Sequence, residues 1–400
     1  MAKRFSFDHP DDAIRALAES LTVTSVESRV AECNGRVLAV DIVADRHSPA
    51  ADVSAMDGYA IRLSDLQTAG DIPVQGQCVP GAPPPTMPES GVLRIFTGAI
   101  VPTGCDAVVK REDTVEADAS IRLTDAAHRT SVGDHIRKAG ENAKAAGTVV
   151  AGGTLVDSAV RATMTNFGAA AIDVHAHVGV TVMTTGDEVI SLDDNAIQPW
   201  QLRNSNQTAL CSMLSQHPWV QLKQAVHCQD DRQRLAEMLR KHLEQSDAII
   251  LTGGVSMGDY DYVPDIVKEV GGQILFHGLP IRPGKPILGA ATSDGKLILG
   301  LPGNPVSATV GCRRFGIPLL AKISGNKNWR LPCPVVRLDD AGDKTIPLHW
   351  MRLVRLRETG IAEPVMSQGS GDLVSLGQST GFVEIPPNQS GEGPWPYRSW

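Results

Sequence analysis

The order of hydrophobic and polar positions is most informative between residues 177 and 325, where apolar runs alternate with helix-like segments. VGVTVMTT (178–185), AIIL (248–251) and LILGL (297–301) are apolar enough to be buried strands. DDRQRLAEMLRKHLEQS (230–246) places Leu235, Met238, Leu239 and Leu243 on one helical face. Strands that alternate with helices predict a mostly parallel sheet with helices on both faces. The remaining predicted elements of this segment are strands over 220–228, 273–281 and 286–290 and helices over 205–217, 263–270 and 305–320.

The flanking sequence has different patterns, which predict a multidomain α/β chain. The first 45 residues begin with helical spacing and become extended in GRVLAVDIVA (35–44). Short alternating runs, cut by turns such as GAPPPTMP (81–88), then predict a β-rich region. We therefore predict four domains: a discontinuous N-terminal and dimerisation domain (1–45 and 144–176), a β-rich insert (46–143), an α/β domain (177–325) and a C-terminal domain (326–400).

Composition limits the classes of function. Of 400 residues, 42% are hydrophobic and 20% charged, and the net charge of −8 with 17 aromatic residues argues against a nucleic-acid partner. The sequence has no apolar stretch of membrane-spanning length, and its start lacks the apolar core of a signal peptide, so we expect a cytoplasmic protein without a membrane partner. The seven cysteines are scattered and form no CxxC pair, which favours reduced thiols over disulfides or a zinc site.

Three predicted strands of the α/β domain end in loops of small residues, hydroxyls and carboxylates. The loops are TTGDE (184–188), TGGVS (252–256) and PGNPVS (302–307). If the strands are neighbours, the loops form one rim outside the carboxyl ends of the sheet, where open α/β sheets bind ligands. Glycines there let a ligand approach the backbone, although each loop alone could be an ordinary turn.

The chemistry of this rim favours a phosphate or another oxyanion. Glu188, Asp259 and Asp261 offer hard oxygen ligands for Mg²⁺, and Arg282 and Lys285 of IRPGKP offer positive charge, unless they are simply solvated. The chain has no GxxxxGK[ST] and no GxGxxG that opens a helix after a strand. A P-loop enzyme is therefore disfavoured, and a dehydrogenase has little support.

Six motifs, in the same order along the chain, together resemble the molybdopterin molybdenumtransferases, the molybdenum insertases related to the C-terminal domain of gephyrin. The resemblance extends from about residue 10 to about residue 386. The motifs are SAMDGYAI (54–61), FTGAIVPTGCDAVVKRED (96–113), TGDEV (185–189), TGGVSMGDYDYV (252–263), RPGKP (282–286) and LPGNPVSA (301–308).

The resemblance implies an enzyme that takes adenylylated molybdopterin and molybdate, cleaves the pyrophosphate link with Mg²⁺, inserts molybdenum and releases AMP. It also implies an elongated homodimer with a molybdopterin-binding α/β domain and a small C-terminal β-barrel-like domain. Transient contacts would be with the molybdopterin adenylyltransferase and with acceptor molybdoenzymes. Tungstate remains open as the natural oxyanion.

The resemblance assigns roles residue by residue. The catalytic carboxylates would be Asp57, Glu188, Asp230 and Asp261, of which Glu188, Asp230 and Asp261 would also bind the metal. Substrate binding would involve Thr97, Gly253, Gly254, Pro302, Gly303 and Asn304. Molybdate would meet Ser256, Arg282, Lys285, Ser307, Arg352 and Ser370, with Arg355 and Ser375 as alternatives to the last two.

Ordinary structural roles compete with several of these assignments. Asp57 could start a turn before Gly58, Thr97 could be a structural residue at a strand end, and Asp230 could be the N-cap of its helix.

Departures from the family pattern keep a second class of function open. Asn142 stands where many members have an acidic residue, and Gly278 and Arg282 stand where some have lysine. An amide cannot act as a base or an anionic ligand, so turnover and metal affinity come into question. A non-catalytic molybdopterin-binding or scaffold paralogue is the alternative. A nucleotide-sugar or nicotinamide enzyme is a third hypothesis, which ligand titration would test.

Overall fold

The computed structural model describes residues 5–193, 197–256 and 262–400. The helices in these ranges are α1 (Pro10–Glu19), α2 (Ser158–Asn166), α3 (Ser205–Ser215), α4 (Arg232–Gln245), α5 (Val263–Glu269), α6 (Pro305–Gly311), α7 (Ile317–Ile323) and α8 (Leu373–Gln378). A π-helical turn, Cys312–Gly316, joins α6 to α7. Within the described part of the chain, no helix has the length and apolar character needed to span a membrane.

The strands of the first half of the chain are short. They are β1 (Val26–Val30), β2 (Ile42–Val43), β3 (Val53–Ser54), β4 (Gly58–Ile61), β5 (Ile72–Cys78), β6 (Val92–Ile95), β7 (Ala107–Lys110), β8 (Thr114–Glu116), β9 (Ser120–Leu123), β10 (Ile136–Arg137), β11 (Thr148–Val150) and β12 (Ile172–His175).

The strands of the second half include the longest ones. They are β13 (Val178–Thr185), β14 (Val189–Ile190), β15 (Leu202–Arg203), β16 (Val220–Cys228), β17 (Ala248–Thr252), β18 (Gly272–His277), β19 (Ile281–Arg282), β20 (Leu288–Thr292), β21 (Leu297–Leu301), β22 (Val335–Leu338), β23 (His349–Glu358), β24 (Ile361–Pro364), β25 (Gly381–Ile385) and β26 (Trp395–Ser399).

The chain divides into two compact units. The first comprises Met1–Val40, Gly152–Arg161 and Ala171–Trp400, and the second comprises Asp41–Ala151 and Ala162–Ala170. The four-domain division of the sequence analysis remains a prediction.

The first unit is built on a six-stranded mixed sheet in the order β16-β13-β17-β21-β20-β18. β16, β13, β17 and β21 are parallel, whereas β20 is antiparallel to β21 and to β18. Every residue of β13, β17 and β21 is buried, which explains their nearly continuous apolar sequences. The predicted neighbouring of these three strands is confirmed.

Two predicted elements differ from the structure in an informative way. The run 273–281, predicted as one strand, divides into β18 of the central sheet and β19, which joins a different sheet. Gly278 adopts a φ of +87° between them, in the left-handed region that ends a strand locally. The predicted last helix, 305–320, continues to Ile323 and contains the π-helical turn.

The helices that follow β15 and β16 begin at side-chain caps. Asn204 accepts a hydrogen bond from the Gln207 backbone N–H, the usual contact of an N-cap side chain. Asp231, and not Asp230, caps α4 by accepting from the Arg234 N–H. The capping interpretation of Asp230 is therefore wrong, and its carboxylate is available for another role.

A small closed barrel lies in the C-terminal part of the first unit, as expected. Its sheet runs β19-β23-β24-β22-β26-β25, and the pairing of β23 with β25 closes five of these strands into a ring. β19 extends the ring from β23, so a strand from the α/β segment becomes part of the barrel sheet.

The second unit is β-rich, as predicted. A six-stranded sheet in the order β7-β4-β6-β5-β9-β8 forms its centre, with the short pairs β10-β3 and β11-β2 beside it. Its two faces carry separate apolar clusters, one including Tyr59 and Val109 and the other including Leu93 and Val108.

Candidate functional site

A cavity of about 780 Å³ opens at the carboxyl ends of β13, β17 and β21. The three strand-end loops predicted to form a rim all line it. Of the predicted site residues, the cavity is lined by Glu188, Asp230, Gly253, Gly254, Ser256, Pro302, Gly303 and Asn304. Asp259 and Asp261 lie outside the described residues. We call this space the rim cavity.

Gly253 and Gly254 give the rim cavity its backbone surface. Their φ angles are +94° and +62°, and a Cβ on Gly253 would lie 2.4 Å from Thr185 Oγ1. The Gly253 N–H donates to the Leu301 carbonyl at 3.1 Å, which ties the loop to the neighbouring strand. A side chain at position 253 is therefore excluded both by conformation and by close packing.

Two asparagines at the start of α3 hold the loops together, and the sequence analysis did not assign them to the site. Asn206 Nδ2 donates to the Gly303 carbonyl at 2.7 Å and to Thr252 Oγ1 at 3.4 Å. Asn204 Nδ2 donates to Thr184 Oγ1 at 2.8 Å. Both side chains line the rim cavity. The sequence signal that could have assigned them to the site is their position at the start of a helix beside the predicted sheet edge.

Two carboxylates, Glu188 and Asp230, line the rim cavity, and Asp187 lies beside Asp230. The Asp230 backbone N–H donates to Asp187 Oδ1 at 3.1 Å. Partial desolvation, together with the negative charges of Asp187 and Glu188, raises the pKa of Asp230 above its ordinary value. Asp187, which the sequence analysis left unassigned, therefore belongs to this group. In residues 5–193, 197–256 and 262–400, no His, Cys, Asp and Glu side chains converge tightly enough to form a complete metal site.

A second cavity, of about 730 Å³, lies between the α/β segment and the C-terminal barrel of the first unit. It is lined by five of the six residues predicted for molybdate, namely Arg282, Lys285, Ser307, Arg352 and Ser370. The sixth, Ser256, lines the rim cavity. We call the second space the cationic cavity.

Trp350 contacts two cations at the wall of the cationic cavity. The Arg352 guanidinium is 5.0 Å from the centre of the Trp350 ring, and Lys344 Nζ is 5.6 Å from it. Arg352 also donates to the Ala341 carbonyl, and burial lowers the pKa of its guanidinium. Lys344 lines the cavity as well, which makes it a candidate that the sequence analysis missed. Arginine remains charged at all ordinary pH values, so the cavity suits an anion.

The two cavities share a wall. Pro286, Pro302 and Asn304 line both of them. Asn304 Nδ2 donates to Ser370 Oγ at 3.0 Å, and the Val306 N–H donates to the Ser370 carbonyl at 3.0 Å. The two cavities are therefore adjacent and separated by these shared residues.

The alternative residues of the barrel are engaged elsewhere. Arg355 forms an ion pair with Glu363 at 3.5 Å, and Ser375 Oγ hydrogen-bonds to Ser367 Oγ and the Asp372 carbonyl. Neither lines the cationic cavity, whereas Arg352 and Ser370 do.

Asp57 and Thr97 belong to the second unit and contact each other. Asp57 Oδ1 accepts from the Thr97 N–H at 2.8 Å and from Thr97 Oγ1 at 2.7 Å. These bonds from the Thr97 backbone and hydroxyl lower the pKa of the exposed Asp57 carboxyl. Asp57 is therefore a fixed, ionised carboxylate with its second oxygen uncommitted to Thr97.

The departures from the family pattern have local explanations. Asn142 Oδ1 accepts from Arg137 Nη2 at 2.7 Å, so the amide retains a cationic partner. Gly278 has a φ of +87°, and the nearest atom to a Cβ there would be 3.8 Å away. A lysine at position 278 would fit the space but strain the backbone.

Comparisons with known proteins agree on one family. The model for the MoeA N-terminal region (domain I and II) matches residues 9–168, and the model for the probable molybdopterin binding domain matches residues 181–322. The molybdopterin molybdenumtransferase of Staphylococcus epidermidis is 30% identical over 93% of this chain and 90% of its own. That of Synechococcus elongatus is 32% identical over 90% of this chain and 89% of its own.

A solved structure extends the likeness to the fold. The molybdopterin biosynthesis moeA protein of Pyrococcus horikoshii superimposes with a TM-score of 0.80, at 24% identity, over 97% of this chain and 98% of its own. The sequence relatives cover nearly the full length of both chains, and the structure has the same architecture. The chain belongs to the molybdopterin molybdenumtransferase family.

Proposed function

We propose that the chain inserts molybdenum into adenylylated molybdopterin, with Mg²⁺-dependent cleavage of the pyrophosphate link and release of AMP. Family membership makes the chain a transferase of molybdenum cofactor biosynthesis. The observation that carries the finer proposal is the wall shared by the rim cavity and the cationic cavity. One cavity suits a nucleotide pyrophosphate and the other a tetrahedral oxyanion, and insertion requires the two substrates to meet.

The rim cavity supports binding of the pyrophosphate-containing substrate. Gly253, Gly254 and Gly303 expose backbone on the side where ligands bind in open α/β sheets. Asn206 holds the Gly303 loop against the Thr252 strand end, so the surface exists before a ligand arrives. A preformed surface is an advantage because ordering it at the moment of reaction would reduce catalysis.

The cationic cavity supports binding of molybdate. Arg352 offers a planar fork of donors, and Lys285 offers a point charge. Ser307 and Ser370 add hydroxyl donors, and Ser370 is oriented by Asn304. This combination favours a small divalent oxyanion such as molybdate.

The carboxylates of the rim cavity fit a site for Mg²⁺. Mg²⁺ is usually bound by one or two carboxylates together with substrate phosphates, so a complete protein cage is unnecessary. Partial desolvation, together with the charges of Asp187 and Glu188, disfavours ionisation of Asp230, and a bound cation would favour the ionised form. Glu188 and Asp230 would hold the ion, with the proposed ligand Asp261, and the ion would neutralise charge developing on the pyrophosphate.

Asp57 is proposed as a catalytic carboxylate. Its lowered pKa keeps it ionised, which suits orienting a water molecule or contributing to a cation site better than storing a proton. Thr97 is proposed to hold it through the two hydrogen bonds described above.

The assembly proposed for the chain is a cytoplasmic homodimer. Contacts with the molybdopterin adenylyltransferase and with acceptor molybdoenzymes would be transient. Sedimentation of the purified protein would test the dimer.

The test of the function is anaerobic release of AMP from adenylylated molybdopterin, with Mg²⁺ and with molybdate present or omitted. We expect release that depends on molybdate and is lost in Asp57→Ala and Arg282→Ala. Substrate binding without AMP release in the unaltered protein would instead support the non-catalytic binding or scaffold paralogue.

A further inference from the structure

A buried ionic cluster connects three distant parts of the first unit. Arg314 donates to Glu384 through Nε at 2.7 Å and through Nη2 at 3.1 Å, and Nη2 also donates to Asp11 Oδ1 at 2.6 Å. His349 Nδ1 lies 3.5 Å from Glu384 Oε1, and an Arg398 nitrogen lies 3.9 Å from Oε2. The Arg314 and Glu384 side chains are only 4% and 8% exposed. We call these five residues the Arg314 cluster.

The Arg314 cluster lies at the junction of the α/β segment and the barrel. Asp11 is in the first turn of α1, Arg314 is in the π-helical turn after α6, and Glu384 is on β25 of the barrel. π-helical turns inside α-helices are often found at functional sites, because they place one side chain out of the regular helical pattern. Here two side chains of the turn reach the barrel: Arg314 pairs with Glu384, and Arg313 Nε donates to the Ser399 carbonyl at 2.6 Å.

The register of the barrel links the Arg314 cluster to the cationic cavity. Glu384 is opposite Met351, and the flanking pairs are Trp350 with Ile385 and Arg352 with Val383. Side chains alternate along a strand, so His349 and Met351 share the face of Glu384, whereas Trp350 and Arg352 share the other face. The cluster thus holds one face of β23, and the opposite face supplies Trp350 and Arg352 to the cavity, which Met351 and Leu353 of the cluster's face also line.

β19 extends this linkage to a second cation of the cavity. Ile281 pairs with His349 and Arg282 pairs with Trp350, and the His349 N–H donates to the Pro280 carbonyl at 2.8 Å. Arg282 and Arg352 therefore approach the cavity from β19 and β23, which pair at His349 of the Arg314 cluster.

We propose that the Arg314–Glu384 pair is a positioning device that fixes the separation of Arg282 and Arg352 for oxyanion binding. This inference rests on the proposed function of the cationic cavity. A buried ion pair contributes little net stability compared with apolar residues of similar volume, but it has one favourable geometry. The double hydrogen bond from Arg314 allows one placement of β25, and hence of β23, against the helix.

The test uses Arg314→Lys and Glu384→Gln, with binding of molybdate alone measured by titration calorimetry. Lysine keeps the charge but lacks the planar fork. We expect molybdate to bind at least fivefold more weakly in both variants, with affinity for adenylylated molybdopterin within twofold of the unaltered protein. Arg337→Lys is the matched control, because Arg337 forms an exposed pair with Glu392 at 3.8 Å in the same barrel. It should leave both affinities unchanged.

Measurements of thermal unfolding and of AMP release separate positioning from a purely structural role. A variant that melts earlier but binds molybdate normally would overturn the inference. If either single variant fails to fold, the double variant Arg314→Met with Glu384→Met removes both charges of the pair together and should fold with weakened molybdate binding. Normal binding in that double variant would also overturn the inference.

Failure of the positioning role can be distinguished from failure of the proposed function. If the unaltered protein does not bind molybdate, both proposals fail. If it binds molybdate and Arg282→Ala abolishes binding, but Arg314→Lys and Glu384→Gln bind normally, only the positioning role fails.

Discussion

Asn304 donates its side-chain amide to the Ser370 hydroxyl at 3.0 Å, which joins the residue before α6 to the barrel. Asn304 lines both cavities, whereas Ser370 lines the cationic cavity alone. The pair therefore marks the boundary across which the two substrates of the proposed reaction would meet.

This asymmetry predicts different effects for the two alanine variants. Asn304→Ala should raise the KM for adenylylated molybdopterin and for molybdate, each by about two- to tenfold, as expected for one lost hydrogen bond. Ser370→Ala should raise the KM for molybdate alone. Steady-state AMP release at varied concentrations of each substrate measures both. Equal effects of Ser370→Ala on the two KM values would contradict the separate use of the cavities.

Gly253→Ala should lower the unfolding free energy of the first unit by more than a left-handed backbone conformation alone would cost. Gly271→Ala is the control, because Gly271 has a φ of +87° but nothing within 4 Å of its Cβ position. The control should cost about 1–2 kcal/mol. Gly253→Ala should cost on the order of 1–3 kcal/mol more, because the new Cβ would lie 2.4 Å from Thr185 Oγ1.

Denaturant unfolding of the two glycine variants measures the difference. Adding Thr185→Ala to Gly253→Ala removes the clashing atom and should recover part of the lost stability. If Gly253→Ala and Gly271→Ala have equal unfolding free energies, the close packing at Thr185 is not what requires glycine.

Asp57 should titrate at an unusually low pH, and Thr97 should be the reason. Both hydrogen bonds favour the ionised form, so the folded pKa lies below the unfolded one. The stabilisation this contributes is present above the unfolded pKa and is lost as pH falls through the folded pKa. Thr97→Val removes the hydroxyl donor but keeps the backbone donor, so the pKa of Asp57 should rise part of the way.

Carboxyl ¹³C NMR of Asp57 across an acid titration measures this shift. Thr97→Ser is the matched control, because serine retains the hydroxyl and should retain the low pKa. Identical midpoints in Thr97→Val and Thr97→Ser would show that the hydroxyl does not influence Asp57.

The parts of the fold that the sequence could predict are those in which local pattern and burial agree. The predicted bounds of β13, β16 and β21 match the structure exactly, because each strand is a distinct run ended by polar residues, glycine or proline. The division of residues 273–281 was missed, since the apolar pattern continues through Gly278 and only tertiary pairing assigns its two halves to different sheets.

The candidate site was predictable to the extent that its residues follow strand ends. Gly253, Gly303 and Asn304 satisfy this rule. Asn206 and Asp187 contribute through hydrogen bonds to distant loops, for which the sequence has no periodic signal. Arg352 and Ser370 reach the cationic cavity only because the barrel packs beside it, so resemblance located them and periodicity could not.

Asp230 provides the sharpest test of the proposed Mg²⁺ site, because its neighbour Asp231 is a natural control. Partial desolvation, helped by the charges of Asp187 and Glu188, raises the pKa of Asp230, so ionised Asp230 costs stability above its folded pKa, and that cost is relieved as pH falls through it. Asp230→Asn should therefore stabilise the protein slightly at neutral pH in the absence of Mg²⁺. It should also raise the Mg²⁺ concentration for half-maximal AMP release about tenfold, equivalent to about 1.4 kcal/mol of lost interaction.

Asp231→Asn should change neither the stability nor the Mg²⁺ requirement, because Asp231 caps α4 and asparagine is an equally good cap. Lower pH should weaken Mg²⁺ activation in the unaltered protein, since protons compete for Asp230 at a higher pH than for an ordinary aspartate. That pH dependence should be smaller in Asp230→Asn. Equal Mg²⁺ requirements in Asp230→Asn and Asp231→Asn would exclude Asp230 as a ligand and leave its raised pKa as a consequence of partial desolvation and neighbouring charge.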